Sequence, residues 1–324
     1  MPEVAMVEKT RENVISLDPD APISGHRMKM LLHMLDSDRV LGEVKYIMRT
    51  MVPDFDFEAM ECVYDDVIAL FQGRYPGYRE CNTPYHDLQH TLDTFLAMAR
   101  LCHGAYLAGR RFSAENLLIG LTAALLHDAG YIQPESDTDG TGAKYTLKHV
   151  VRSADFAEKY IVERGWGEVN GRKARVMIMC TELAIKVNAI DFPDAETEVL
   201  GKILGTVDLL GQMAARNYLE KLLLLYQELK EGEVPGFESE LDLLEKTTDF
   251  YDFIKTRLAD QCGGLWHHMR RHFADRWNID RDIYAEYIDK NMEYLQQLLD
   301  DNNPNYRDDL KRSGIVADLA RNGL

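Results

Sequence analysis

Residues 113–130 read SAENLLIGLTAALLHDAG, and they decide the fold class. Ser113 is a good N-cap, and Gly130 is placed to close the helix as a C′ residue. Between them the chain is apolar on nearly all sides as far as His127. A helix apolar all round belongs inside a core rather than on a surface. It also ends on two adjacent polar residues, His127 and Asp128, which a core helix would not carry without a reason.

Outward from this stretch the periodicity is helical almost everywhere. Helices are expected at about 27–51, 57–72, 87–109, 145–163, 171–187, 194–211, 214–231, 238–260 and 281–300. No strand ladder, internal repeat or Pro- or Ser-rich linker interrupts them. Residues 131–144, YIQPESDTDGTGAK, form the one long polar, Gly-containing loop in mid-chain, and long loops in compact domains are often functional. The expected architecture is all-α: an N-terminal helical extension over 1–55, one domain over 56–300, and a docked or frayed tail over 301–324.

The chain has 324 residues, enough to bury a sizeable core. Its formal net charge of −17 would repel phosphate backbones, which argues against nucleic-acid binding. A small phosphorylated substrate is not excluded, because bound metal ions reverse the local sign. The five cysteines are widely spaced with no C-x-x-C, which suits reduced thiols. The N-terminal residues lack an apolar h-region, and no apolar run approaches the length of a membrane span. A cytoplasmic protein is expected.

Three polar insertions interrupt otherwise apolar helices. In NTPYHDLQHTLDTF (82–95), His86 and His90 lie one helical turn apart, so their imidazoles can converge. His127-Asp128 ends the most buried helix. Asp208 lies in KILGTVDLLGQM among Ile203, Leu204, Val207, Leu209 and Leu210. A buried carboxylate normally protonates or finds a cation, here a distant basic residue or a metal. Each feature alone has a bland reading: a polar patch, a satisfied core histidine, an Asp–Arg pair. Together, imidazoles and carboxylates make an N/O site for Zn, Fe, Mn or a similar divalent ion.

The pattern H…HD…D resembles the HD superfamily of metal-dependent phosphohydrolases. NTPYHDLQHTLDTF is closer still to the N-P-Y-H-N-x-x-H-x-x-D-V segment of class I cyclic nucleotide phosphodiesterases, through Asn82, Tyr85, His86, His90 and Asp93. LLHDAGY matches their HD helix end, and CTELAIKV…LGTVDLLGQM follows their closing segments; the resemblance covers about 60–260. It implies a helical bundle with a metal site in its core pocket. His90, His127, Asp128 and Asp208 would hold the first ion (Zn, Fe or Mn), with Asp128 bridging to a second (Mg or Mn). His86 would be the general acid, protonating the leaving oxygen. A hydroxide shared by two ions about 3.5–4 Å apart would attack phosphorus.

His149 resembles a further histidine of other HD phosphohydrolases: a ligand of the second metal, a phosphate contact, or a surface residue. Asp87, Asp93 and Glu182 are candidates for supporting contacts around the ligands. Two departures stand out. Asp87 replaces the family's Asn, and Phe250 falls where the family's base-gripping Gln would stand, three residues before Phe253. Another amide, Gln212 or Gln261, could substitute. Tyr85, Phe250 and Phe253 suggest a stacking pocket with little preference between adenine and guanine.

Other motifs explain less. HDLQH read as a zincin leaves His127-Asp128 and Asp208 unexplained, and DGTGAK is neither a P-loop nor a calcium loop. HHMRRH (267–272) reads as a solvated basic helix face. The leucine run of YLEKLLLLYQEL reads as core or as a homo-oligomer contact. The expected activity is hydrolysis of 3′,5′-cyclic nucleotides. A nucleotidase acting on the same metals and a non-catalytic sensor or scaffold are the rivals, though a scaffold should have lost one of the ligand-type residues.

Overall fold

The computed structural model describes residues 36–300 and 305–321. Over them the chain is all-helical, with no strand; the only β-pairings are isolated bridges. In order the helices are α1 Ser37–Met51, α2 Phe57–Phe71, α3 Leu88–Leu107, α4 Ala114–Leu126, α5 His149–Glu163 and α6 Glu168–Met179. They continue with α7 Ala195–Ala214, α8 Tyr218–Glu231, α9 Glu240–Asp260, α10 Met269–Trp277, α11 Ile283–Asp300 and α12 Ile315–Arg321.

α3, α4 and α7 form the centre. Ser113 caps α4 by accepting from Asn116 N at 3.2 Å, and every residue of α4 from Asn116 onward is buried, as its composition demands. α3 is buried from His90 to Ala105, covered by α1, α4, α7 and α10. Asp87 and Asp194 cap α3 and α7, accepting from His90 N at 2.8 Å and Thr197 N at 2.7 Å. Of the expected helix at 27–51, residues 27–35 lie outside the described residues, as does most of the 1–55 extension. α1 itself docks on α3 through Val40, Val44, Ile47 and Met48. Its buried Glu43 pairs with Arg276 of α10 at 3.0 Å. The described part of the tail is also docked, with Leu310 and Leu319 buried.

Three expectations need correction. The helix read as 171–187 starts at Glu168 and ends at Met179. Its broken end is held by the buried Arg257, which donates to the carbonyls of Cys180, Glu182 and Ile185 at 2.9–3.1 Å. Gly130 does not act as a C′ residue: α4 stops at Leu126, and Gly130 lies in a short 3-10 turn, Ala129–Tyr131. A Cβ there would lie 2.1 Å from the His149 carbonyl, so Gly130 is needed for the close approach of α5. HHMRRH is only in part the solvated face expected: His267, Arg270 and Arg271 are exposed, whereas His272 of α10 is fully buried, its Nδ1 3.0 Å from that of His103.

Candidate metal centre

The Asp87 cap fixes the first turn of α3 and so aims His90 inward. His127 is the C-cap of α4 and Asp128 follows it, while Asp208 projects from the middle of α7. These segments bring His90, His127 and Asp128 into one group, and Asp208 approaches it on the side of the two imidazoles. His90 Nε2 lies 3.1 Å from His127 Nε2, 3.2 Å from Asp128 Oδ2 and 3.2 Å from Asp208 Oδ1. His127 Nε2 lies 3.3 Å from Asp128 Oδ2 and 3.5 Å from Asp208 Oδ1.

Ligand atoms about 2.0–2.1 Å from a tetrahedral ion stand about 3.3 Å from one another, and the 3.1–3.3 Å spacings among His90, His127 and Asp128 suit such a cation. The donor chemistry agrees. His127 Nδ1 donates to the Ala124 carbonyl at 2.8 Å, which leaves Nε2 to present a lone pair. Asp128 Oδ2 is buried with no aligned hydrogen bond, although two imidazole nitrogens face it. An orphaned buried carboxylate oxygen is costly unless a cation satisfies it.

Electrostatics tie the four together. Burial works against the charged forms of His90 and His127, yet Asp128 and Asp208 hold both imidazoles above their ordinary value. Burial likewise pushes both carboxyls up, and the imidazoles more than offset it, leaving Asp128 and Asp208 below the usual range. Without a metal, the protons on the imidazoles stand in for the cation.

Two more histidines flank the cluster. His149, the first residue of α5, donates from Nδ1 to the Thr146 carbonyl at 2.6 Å and places Nε2 3.8 Å from Asp128 Oδ1. Burial and the neighbouring His86 lower its pKa, and Asp128 opposes them. The polar loop at 131–144 serves to position it. Asn82 accepts from Gly142 N at 2.8 Å and donates to Gln133 at 2.9 Å, and the 3-10 turn Gly142–Lys148 leads into His149.

His86 stays out of the ligand cluster. Its Nδ1 lies 2.6 Å from Glu228 Oε2, and Glu228 also accepts from Tyr85 N at 2.6 Å. The ring of Tyr131 stacks on both His86 and His149, with centroids 4.4 and 4.3 Å away, while the two imidazoles lie 5.8 Å apart at a 36° tilt. Glu228 and Tyr131 escaped the sequence reading. Tyr131 follows the HD turn, and its spacing carried a signal that could have been used. Glu228 carried none, because it sits in the run read as core or oligomer contact.

The remaining residues divide. Asp87 acts through the α3 cap and pairs with Lys221 at 3.6 Å. Asp93 is buried one turn beyond His90 and accepts from Gln89 Nε2 at 2.9 Å. Glu182 lies at the cavity wall but accepts from Ala184 N at 3.0 Å within its own turn. Gln212 reaches the cluster, donating to Asp208 Oδ1 at 2.8 Å and accepting from Tyr85 Oη at 2.7 Å. Gln261 accepts from Val187 N and is structural.

A cavity of about 640 Å³ opens above His86, His149 and Asp208, within the ordinary range for a small-molecule site. Tyr85 and Phe250 line it. Phe253 does not: three residues advance a helix by about 300°, and its ring faces solvent at 45% exposure.

Fold and site together define an all-helical protein with a buried cluster of two imidazoles and two carboxylates at the base of a cavity. The chain belongs to the Npun_R2479-like family, which matches residues 59–262, a span holding every site residue named above. Neither the curated proteins nor the solved structures gave a match. No helix among the described residues is long and apolar enough to cross a membrane.

Proposed function

We propose that the protein is a metal-dependent phosphohydrolase of the HD type. The observation that carries this reading is the convergence of His90, His127, Asp128 and Asp208, with His86 beside the cluster and outside it. The four would hold one divalent ion, and His149 with Asp128 would complete a second, weaker site. Bound there, such ions would supply Lewis-acid polarisation of a phosphoryl oxygen and neutralise its charge.

The chain's own groups supply the proton chemistry. With Glu228 accepting from Nδ1–H of His86, the proton available for transfer is at Nε2. In hydrolysis a water oxygen bonds to phosphorus, the P–O bond to the leaving group breaks, His86 gives its proton to the departing oxygen, and the proton given up by the water returns His86 to its starting form. Tyr131 stacks on the rings of both His86 and His149 and so restrains their rotation.

The test is a phosphohydrolase screen on metal-replete protein, comparing cyclic nucleotides, nucleoside monophosphates and simple alkyl and aryl phosphoesters. Purified protein should carry about one tightly bound transition metal per chain. Asp128→Ala should lose both metal and turnover. Full metal occupancy with unchanged turnover in that variant would sink the reading.

A further inference from the structure

The cavity has two unlike ends. At its base stand His86, Tyr131, His149, Asp208 and Gln212. Its upper wall is built from Leu222, Leu225 and Leu229 of α8, Phe237, and Leu243 and Phe250 of α9. Leu225, Leu229, Phe237 and Phe250 are only half-buried although they pack against the core cluster. At the rim, Leu147 is 66% and Leu183 38% exposed, so the apolar lining continues to the mouth.

The polar side chains of this wall already have partners. Thr146, Thr181 and Thr247 each donate to a backbone carbonyl three or four residues earlier. Lys246, the one Lys or Arg among the described lining residues, is held by Asp242 and by the Gly236 carbonyl at 2.7 Å. The Gln212 amide is engaged at both its nitrogen and its oxygen. Two phenols and one carboxylate oxygen of Glu182 remain; the phenols belong to the base, and Glu182 is a partly exposed acid that can only accept. Tyr131 stacks on both histidines, and Tyr218 shares a small recess with Tyr85, His90 and Gln212.

A site that reads a purine must offer hydrogen-bonding groups along the base edge, and burying that edge without partners is costly. Apart from the acidic Glu182, the polar side chains of this wall are committed to partners of their own, while the wall would bury a hydrocarbon chain favourably. We infer that the substrate is an amphipathic phosphate ester: the phosphate lies at the histidine base, and the organic group is an extended apolar chain filling the upper chamber. The reaction part of this inference rests on the phosphohydrolase reading; the chamber part does not.

The test uses the metal-loaded full chain and has two readouts. The first is kcat/KM across ethyl, butyl, octyl and dodecyl phosphate, all as monomers in solution, with cAMP and cGMP alongside. The second is calorimetric binding of butyl-, octyl- and dodecylphosphonate, which cannot be hydrolysed at the P–C bond. Both should rise steeply, by about three- to fourfold per methylene until the chamber is full. Leu225→Asn, and separately Leu147→Ser at the mouth, should flatten the dependence on chain length. Flat binding across the phosphonates, or faster turnover of cAMP than of any alkyl ester, would overturn the inference. Rising phosphonate affinity without hydrolysis of any ester would uphold the chamber and remove the phosphohydrolase reading.

Discussion

At the scale of single residues, His86 and His90 are one turn apart and have opposite surroundings. His90 faces an imidazole and two carboxylates, whereas His86 faces Glu228, a ring-stacking tyrosine and the open cavity. A carboxylate on Nδ1 fixes the orientation of the ring and leaves Nε2 to carry the transferable proton, as an acid requires. His86→Ala should therefore keep its metal and lose on the order of 10²–10⁴ in turnover of an alkyl ester. Glu228→Gln should follow in the same direction with a smaller loss, about 10- to 100-fold. Both deficits should shrink on a nitrophenyl ester, whose leaving group needs no protonation. An equal deficit on both esters, or metal loss in His86→Ala, would place His86 among the ligands instead.

At the scale of elements, the HD turn works only because α5 lies directly on it. Gly130 N donates to Ser153 Oγ at 2.9 Å, and Arg152 Nε donates to the Gly130 carbonyl at 2.7 Å. Gly130→Ala would drive a methyl group into the His149 carbonyl, and α5 must shift to accommodate it. The expected cost is about 1–3 kcal/mol in stability, read as a lowered thermal midpoint. Because His149 moves while the four inner ligands do not, the weaker metal should be lost and the tighter one kept. An unchanged midpoint with both metals bound would refute this. The same packing explains what the sequence could reveal. Asp208 and His127-Asp128 were legible because a polar residue inside an apolar helix breaks a local pattern. The helices followed from the same periodicity and caps. Glu228 looks like any acid near a helix end, and only the docking of α8 against 82–86 buries it. The role of Gly130 and the burial of His272 are likewise products of helices meeting, and α10 was missed because its charged residues mask a short apolar stripe.

At the scale of the molecule, the cluster joins α3, the end of α4 and α7, three elements whose packing builds one continuous hydrophobic core. In metal-free protein this junction depends on protons. His90 and His127 are held above their ordinary value, so their contribution is full below about pH 6.5, the unfolded value, and fades as pH rises through the folded values. Asp128 and Asp208 are held below theirs, so their contribution is full above about pH 3.9 and fades only in stronger acid. A divalent ion bound there would replace those protons and take neutral imidazoles, so its affinity should increase with pH. Bound metal stabilises the fold in proportion to the logarithm of its concentration over its dissociation constant. The gap in thermal midpoint between metal-loaded and chelator-treated protein should therefore widen from about pH 6 to about pH 9. Asp208→Asn should abolish most of the gap while leaving the helical content intact, because the surrounding core does not depend on the cluster. Circular dichroism melts with and without zinc across that range measure both quantities. A gap that stays constant or narrows as pH rises would mean that the protons at His90 and His127 are not what the metal displaces.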